Sequence, residues 1–398
     1  MDSSPGITNG TLKNGNDSPT TSEGGGPRNR SGWDGKLRVE KKPILVNPEA
    51  LSDPEYSDED APPPVQIDAD EDLLDDVEQD AEDVDLTHCR VVSIPALRLD
   101  RFQKLKQVCL RQNQISKIKF PDSLAATLEN LDLYDNLISH VNGLDQLTGL
   151  TTLDLSFNKI KHIKNLDHLK KLKDLYFVQN KIQTIENLEG LSVLRNLELG
   201  ANRIREIQNL DTLTSLEELW LGKNKITELK NLDTLTNLKI LSIQSNRLTS
   251  LSGLPHIPNL TDLHISHNAI SSLAPLAEPP TTTVAQTNGS STVTNGSTAP
   301  LDAPSVPTPS LRVLDISSNP IKSLHGLQRL KHLEELWASY CQMSSFDEVE
   351  KVLADKEELE TVYFEGTPLM TQQPALYRNK VKLALPRIKQ IDATFVRT

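Results

Sequence analysis

The feature that most constrains this chain is a single residue type returning at fixed intervals. Asparagines stand at Asn113, Asn136, Asn158, Asn180, Asn202, Asn224, Asn246 and Asn268, separated by one step of 23 residues and six of 22. Each closes the same spelling, L-x-x-L-x-L-x-x-N, as in Leu128, Leu131, Leu133 and Asn136, or Leu216, Leu219, Leu221 and Asn224. A constant period of this length implies stacked, equivalent coils that each contact only their neighbours. Within one period the physics is readable. Leu210, Leu213 and Leu216, spaced by three, suit tight 3-10-like turns on the outer side. Leu219 and Leu221, spaced by two, suit a strand with alternate side chains buried. Asn224 then turns the chain, and its amide is expected to bond backbone groups of adjacent coils in a ladder. Ile226 and Leu229 close the coil.

This is the leucine-rich-repeat pattern. The fold expected is an α/β leucine-rich-repeat solenoid of about 12 strands. It has a curved parallel sheet on the concave face and 3-10 or short helical segments on the convex face. Val84, Leu86 and Cys89 read as an incomplete first coil. After Asn268 the next turn asparagine is Asn319, a gap of 51 residues where 22 is the rule, so 29 are extra. The excess falls at about 277–305, a Thr-, Ser-, Gly- and Pro-rich stretch that reads as a disordered loop inserted into one coil. Leu311, Leu314, Ile316 and Asn319 resume the pattern, which continues to Leu359, Val362, Phe364 and Thr367, with Cys or Thr in three ladder positions near the ends. Residues 81–367 thus form the array and 368–398 a terminal cap, which an open solenoid needs to cover its last core.

Composition separates the first 80 residues from the rest. Six leucines fall in residues 1–80 against 32 in residues 101–250, and residues 53–85 carry 16 acids and no Lys or Arg. The segment's −16 exceeds the whole chain's −13, leaving +3 for the remainder. Residues 1–80 therefore read as a disordered acidic tail. Within it Ser57, before Asp58-Glu59-Asp60, is a weak match to an acid-directed phosphorylation site. A pI near 5.2 argues against nucleic acid as the direct ligand. Three cysteines exclude a disulfide scaffold. No apolar run reaches the ~18 residues of a membrane helix, and Met1-Asp2-Ser3-Ser4 opens no signal peptide, so neither membrane nor export is expected.

On each strand the residue between the closing apolar positions faces out of the core. In order these are Asp85, Cys109, Asp132, Asp154, Tyr176, Glu198, Trp220, Ser242, His264, Asp315, Trp337 and Tyr363, with no Lys or Arg among them. A second row adds Asp174, Glu218, Asp262 and Glu335. Exposed tryptophans beside acids on a rigid sheet point to a binding face for a basic, partly apolar protein surface. Catalysis is not indicated. His88-Cys89 places the thiol at a ladder position, His264 lacks a visible partner, and no metal-spaced cluster or phosphate loop occurs. No cofactor and no metal are expected.

Several segments resemble the leucine-rich-repeat regulatory subunits of protein phosphatase 1. They include Ala81-Glu82-Asp83-Val84-Asp85-Leu86, Leu131-Asp132-Leu133-Tyr134-Asp135-Asn136, Leu221-Gly222-Lys223-Asn224-Lys225-Ile226-Thr227 and Gln390-Ile391-Asp392-Ala393-Thr394-Phe395-Val396-Arg397. The resemblance implies a non-catalytic nuclear and cytoplasmic protein that binds the phosphatase catalytic subunit through the concave face. It also implies roles in mitosis, chromosome segregation and phosphatase maturation, with an inhibitor protein as a third component. Carried over by position, the contact residues are Asp154, Tyr176, Glu198, Trp220, Asp315, Glu335, Trp337 and Tyr363. Tyr176 and Trp220 stand where many members have Phe. Lys117-Ile118-Lys119-Phe120 spells a short phosphatase-docking motif, but Ile118 occupies the coil's apolar position. The alternative resemblance is to the spliceosomal A-prime protein, a leucine-rich-repeat scaffold of an RNA–protein particle.

Overall fold

The structure is a computed structural model, and it describes residues 70, 72–277 and 307–396. Fourteen strands lie in one sheet in sequence order. The first twelve are three residues each: β1 Asp83–Asp85, β2 Gln107–Cys109, β3 Asn130–Asp132, β4 Thr152–Asp154, β5 Asp174–Tyr176, β6 Asn196–Glu198, β7 Glu218–Trp220, β8 Ile240–Ser242, β9 Asp262–His264, β10 Val313–Asp315, β11 Glu335–Trp337 and β12 Thr361–Tyr363. All twelve pair in parallel with a constant register, Leu153 opposite Leu175 opposite Leu197 opposite Leu219. The sequence predicts about 12, and the two further strands belong to the terminus: β13 (Gln390–Ile391) continues the parallel order and β14 (Thr394–Phe395) turns back antiparallel.

The central residue of each strand is buried, and the two flanking residues stand on the opposite, open face. Behind the sheet the leucines predicted to form a 3-10 segment make separate turns. Leu213 N–H donates to Leu210 O and Leu216 N–H to Leu213 O, both 3.0 Å. These are two i→i+3 bonds in sequence, not a continuous helix, which fits the poor geometry of long 3-10 runs.

The asparagine ladder forms as expected. Asn180 accepts from Ile160 N–H at 2.9 Å and donates to Leu155 O, one coil back, at 2.9 Å. The residue before each ladder position is forced into the left-handed region, as at Asp135 (φ 53°), Gln179 (φ 56°) and Lys223 (φ 55°). A second asparagine series runs down the outer side. Asn165, Asn187, Asn209 and Asn231 all have φ of 56–58°. Each donates to the carbonyl 24 residues back at 2.7 Å. Gly326 takes that position in a later coil with φ +117°, where a Cβ would meet Leu273 O at 2.0 Å. Asparagine and glycine share the site because both tolerate positive φ.

Residues 278–306, the core of the expected insertion, lie outside the described residues. Their described flanks are Ala277, after the 3-10 turn Ala274–Leu276, and Pro307, whose carbonyl accepts from Ile257 N–H at 2.8 Å. Both flanks sit between successive outer turns, so β10 still pairs with β9 in register. Asn319 bonds Ile270 N–H and Ile265 O across the gap, both at 3.0 Å.

The ends differ from the interior coils. Residues 1–69 and 71, with Ser57, lie outside the described residues, but residues 72–80, assigned to the tail by composition, make turns against the first coil. Leu74 is buried there. Asp70 accepts from Val92 and Ser93 N–H at 3.0 and 2.7 Å. Val77 and Ala81 pack against the core beside Leu74, and Asp75 and Asp80 pair with Arg101 and Lys104, both at 3.2 Å, so a segment of acidic average composition is tied to the first coil. At the other end, α1 (Phe346–Leu353), α2 (Pro368–Thr371) and α3 (Tyr377–Ala384) lie around the last coils. Val381, Leu385 and Ile388 join the same continuous core, and Tyr377 donates its hydroxyl to Asp392 at 2.9 Å.

Candidate functional site

Constant register converts a sequence period into a surface row. Pairing runs Asp154–Tyr176–Glu198–Trp220–Ser242–His264–Asp315–Trp337–Tyr363 without a break. All eight residues predicted as contacts therefore share one face, with Glu335 in the adjacent row. At the usual strand separation of about 4.8 Å, eight steps from Asp154 to Tyr363 span about 38 Å. The insertion does not interrupt the row, because both its flanks are on the other side of the coil.

Two Glu-Leu-Trp strands build equivalent anchors. Trp220 donates its indole N–H to Glu218 at 3.2 Å, and Trp337 does so to Glu335 at 2.9 Å. Leu219 and Leu336 are buried between them, so the i and i+2 side chains emerge together. Trp337 also packs edge-on to Tyr363 with ring centroids 5.7 Å apart, and 6.0 Å from the His264 ring. Gln390 of β13 donates to the Tyr363 hydroxyl at 2.8 Å, so the terminal strand fixes that ring.

On β4–β6, the strands that lead up to Trp220, the charge is one-sided and partly shielded from water. Burial pushes the Glu198 carboxyl above its usual range, and Asp154 and Glu218 add like-charge repulsion. Asp154 is raised too, again chiefly by burial, although Ser156 N–H donates to it at 2.8 Å. Burial and the nearby Asp174 and Glu198 carboxylates raise the Tyr176 phenol as well. An acid held like this is stabilised by any cation brought against it from outside.

Toward the N-terminal end the face behaves differently, in a way the row of strand residues did not reveal. Arg111 lies two residues past Cys109, at the next outward position. Its guanidinium pairs with Asp132 at 2.8 Å and lies 4.0 Å from the Tyr134 ring centroid. Tyr134 in turn packs on Phe157 at 4.7 Å. Arg111 and Asp132 border a cavity of about 470 Å³ that reaches from Asp83 to Tyr176. Extending the alternation by one step along each coil locates Arg111 and Tyr134; the acidic row is internally neutralised at Asp132 and not at Glu198.

Ile118 of the Lys-Ile-Lys-Phe spelling is only 6% exposed. Its backbone is part of the coil, which removes it from docking. Among the described residues no group of three or more His, Cys, Asp or Glu could hold a metal, and no helix is long and apolar enough to cross a membrane. Cys341 occupies a ladder position, donates to Ile316 O at 3.2 Å and is pushed up to about 11 by burial, the reverse of an activated thiol. Cys89, the other thiol ladder residue, is partly buried.

Comparison with known proteins agrees with this architecture. The family described as Leucine Rich repeats (2 copies) matches residues 192–235 and 236–278, and a single Leucine Rich repeat matches 146–161. An internalin of Listeria monocytogenes superposes with TM-score 0.56 at 22% identity, covering 80% of this chain and 87% of its own, a likeness of fold alone. Protein phosphatase 1 regulatory subunit SDS22 of Schizosaccharomyces pombe is 60% identical over 337 residues, covering 85% of this chain and 92% of that protein. Protein phosphatase 1 regulatory subunit 7 of Homo sapiens is 64% identical over a 39-residue stretch, 10% of each chain. A repeat solenoid related to regulatory subunits over nearly its whole array is a non-catalytic protein, and this chain belongs to the SDS22 family of protein phosphatase 1 regulatory subunits.

Proposed function

We propose that the chain regulates protein phosphatase 1 by docking the catalytic subunit on the open face of its sheet, with Asp154, Tyr176, Glu198, Trp220, Asp315, Glu335, Trp337 and Tyr363 as the contact set. The observation that carries this is the unbroken in-register row, in which two indole anchors stand four strands apart on an acidic surface. Trp220 and Trp337 are the energetic centres, since truncating a buried interfacial tryptophan commonly costs about 2–4 kcal/mol. Glu198 and Asp154 supply charge that a basic partner neutralises, which favours the right partner and its approach more than it adds affinity.

The chemistry of the face is that of a grip. It sets where the catalytic subunit sits and leaves the reaction to that subunit. Regulation of phosphatase activity, maturation or localisation in mitosis and chromosome segregation follows from such a grip, in nucleus and cytoplasm, with an inhibitor protein able to join as a third component. The RNA–protein scaffold reading has no specific observation in its favour.

The test is capture of the purified catalytic subunit by the full chain. Glu198→Lys/Trp220→Ala is expected to lower affinity at least about a hundredfold, while Phe120→Ala leaves it unchanged. Full capture by a folded double variant removes the sheet face from the interface. Loss of capture with Phe120→Ala alone would return the short motif to consideration.

A further inference from the structure

The turns that follow five consecutive strands, β4 to β8, carry charge of the opposite sign. One residue past the ladder asparagine stand Lys159, Lys181, Arg203, Lys225 and Arg247, in five consecutive coils. Each donates its backbone N–H to the preceding coil, to Ile138, Ile160, Ile182, Ile204 and Ile226 respectively, at 2.8 Å. These bonds make the five positions successive rungs of one ladder. With about 4.8 Å per rung, the first and fifth lie about 19 Å apart.

The adjoining positions of the ladder hold no acid, and Glu206 and Glu228, three residues past Arg203 and Lys225, are engaged by Lys230 at 2.9 and 3.8 Å. The position two residues further on holds Lys161, Gln183, Arg205, Thr227 and Thr249, and the position before the asparagine holds no Asp or Glu in these coils. Among the described residues none of the five ladder cations makes an ion pair, whereas several cations elsewhere on the solenoid do. Lys230 pairs with Glu206 at 2.9 Å, Lys239 with Glu217 at 2.6 Å and Lys331 with Asp355 at 2.9 Å. At its first rung the stripe opens into a cavity of about 250 Å³ bordered by Lys159, Lys161, Lys164, His140 and His162.

We propose that this stripe binds an extended acidic segment of a partner protein, one that presents carboxylates on alternate residues. Alternate side chains of an extended chain point the same way and recur every ~6.8 Å, so four of them span about 20 Å, the length of the ladder. Long Lys and Arg side chains absorb the difference between the two spacings. A single-stranded nucleic acid fits less well, because such sites interleave cations with stacking aromatics. Here the only aromatic in these rows is Phe157, at one end, and its ring already packs on Tyr134. The proposal is independent of the phosphatase face, which lies on the strands and not on the turns.

The experiment uses the full chain and a fluorescent octapeptide alternating Glu and Thr, read by anisotropy at low salt. Controls are the Gln–Thr octapeptide and an eight-nucleotide oligothymidine. Binding of the Glu peptide is expected, weakening as salt rises, with no binding of the Gln peptide. Arg203→Glu/Lys225→Glu is expected to weaken it at least about tenfold, and Lys171→Glu/Lys173→Glu, the same charge change at exposed positions off the stripe, less than about twofold. Equal losses from both double variants would overturn the proposal, as would tighter binding of the oligothymidine. Capture of the phosphatase catalytic subunit by Arg203→Glu/Lys225→Glu reports separately that the sheet face is intact.

Discussion

Asn202→Ala isolates what the inner ladder contributes. Asn202 is 7% exposed; its Oδ1 accepts from Ile182 N–H at 3.0 Å, and its Nδ2 donates to Phe177 O at 2.8 Å and Leu199 O at 3.1 Å. Truncation leaves the two carbonyls one donor each, since Asn180 also reaches Phe177 O and Asn224 reaches Leu199 O. The Ile182 N–H has no such substitute. An orphaned buried donor costs about 1–3 kcal/mol and each forfeited bond about 0.5–1 kcal/mol, so the loss is about 3 kcal/mol. Asn209→Gly is the matched control: it removes one bond, to Ile185 O at 2.7 Å, from an exposed side chain while keeping a residue suited to φ 58°. Water replaces that bond, and the cost is about 1 kcal/mol. Urea unfolding followed by Trp220 fluorescence, one coil from Asn202, measures both. Equal losses for the two variants, or less than about 1 kcal/mol for Asn202→Ala, refute the claim that unsatisfied backbone groups set the ladder's value.

Other consequences follow from the same geometry. Deleting residues 278–306 removes 29 residues and restores the 22-residue step, so β9 and β10 keep their register and both stability and phosphatase capture stay near wild type, measured by urea unfolding and pull-down. Cys341 is pushed up to about 11 by burial, so its thiol resists alkylation at pH 8 until the chain unfolds. Its raised folded value means a stabilising contribution that is intact below the unfolded thiol pKa and fades as pH climbs toward 11, visible in melts of wild type against Cys341→Ala. Asp154 and Glu198 are likewise raised, by burial first, so the free protein gains from their protonation on mild acidification while a cationic partner loses. Catalytic-subunit affinity is therefore expected to fall with acidification sooner than for ordinary exposed carboxylates, and Glu198→Gln to flatten that dependence.

Strand phase was the most legible property of the chain. Leu219 and Leu221 fix which side of the coil is buried, and with a constant 22-residue step this places Trp220 beside Glu198 and Ser242 without further information. The insertion left the row intact because the step from Leu276 to Thr308 replaces an outer turn, where loop length hardly affects strand pairing. Less legible was anything set by side-chain reach. Arg111 crosses to Asp132 and Tyr134, and the indoles turn back to their own strand's glutamates; neither is written in a period. Composition does not locate the tail's end, because the order of residues 72–80 rests on particular contacts, Leu74 and Val77 in the core and Asp75 and Asp80 on Arg101 and Lys104, and not on an average. The outer asparagine series has the same 22-residue spacing as the inner one, in the spelling Asn-Leu, but it lies in a segment whose apolar period alone is enough to define the coil.

The most direct test of the sheet face is oxidative footprinting of the complex with the phosphatase catalytic subunit, read residue by residue by mass spectrometry. Tyr176, Trp220, Trp337 and Tyr363 are expected to lose most of their reactivity on binding, while Tyr340, 61% exposed on a turn, keeps its own. Unchanged oxidation of Trp220 and Trp337 in a fully formed complex contradicts the account.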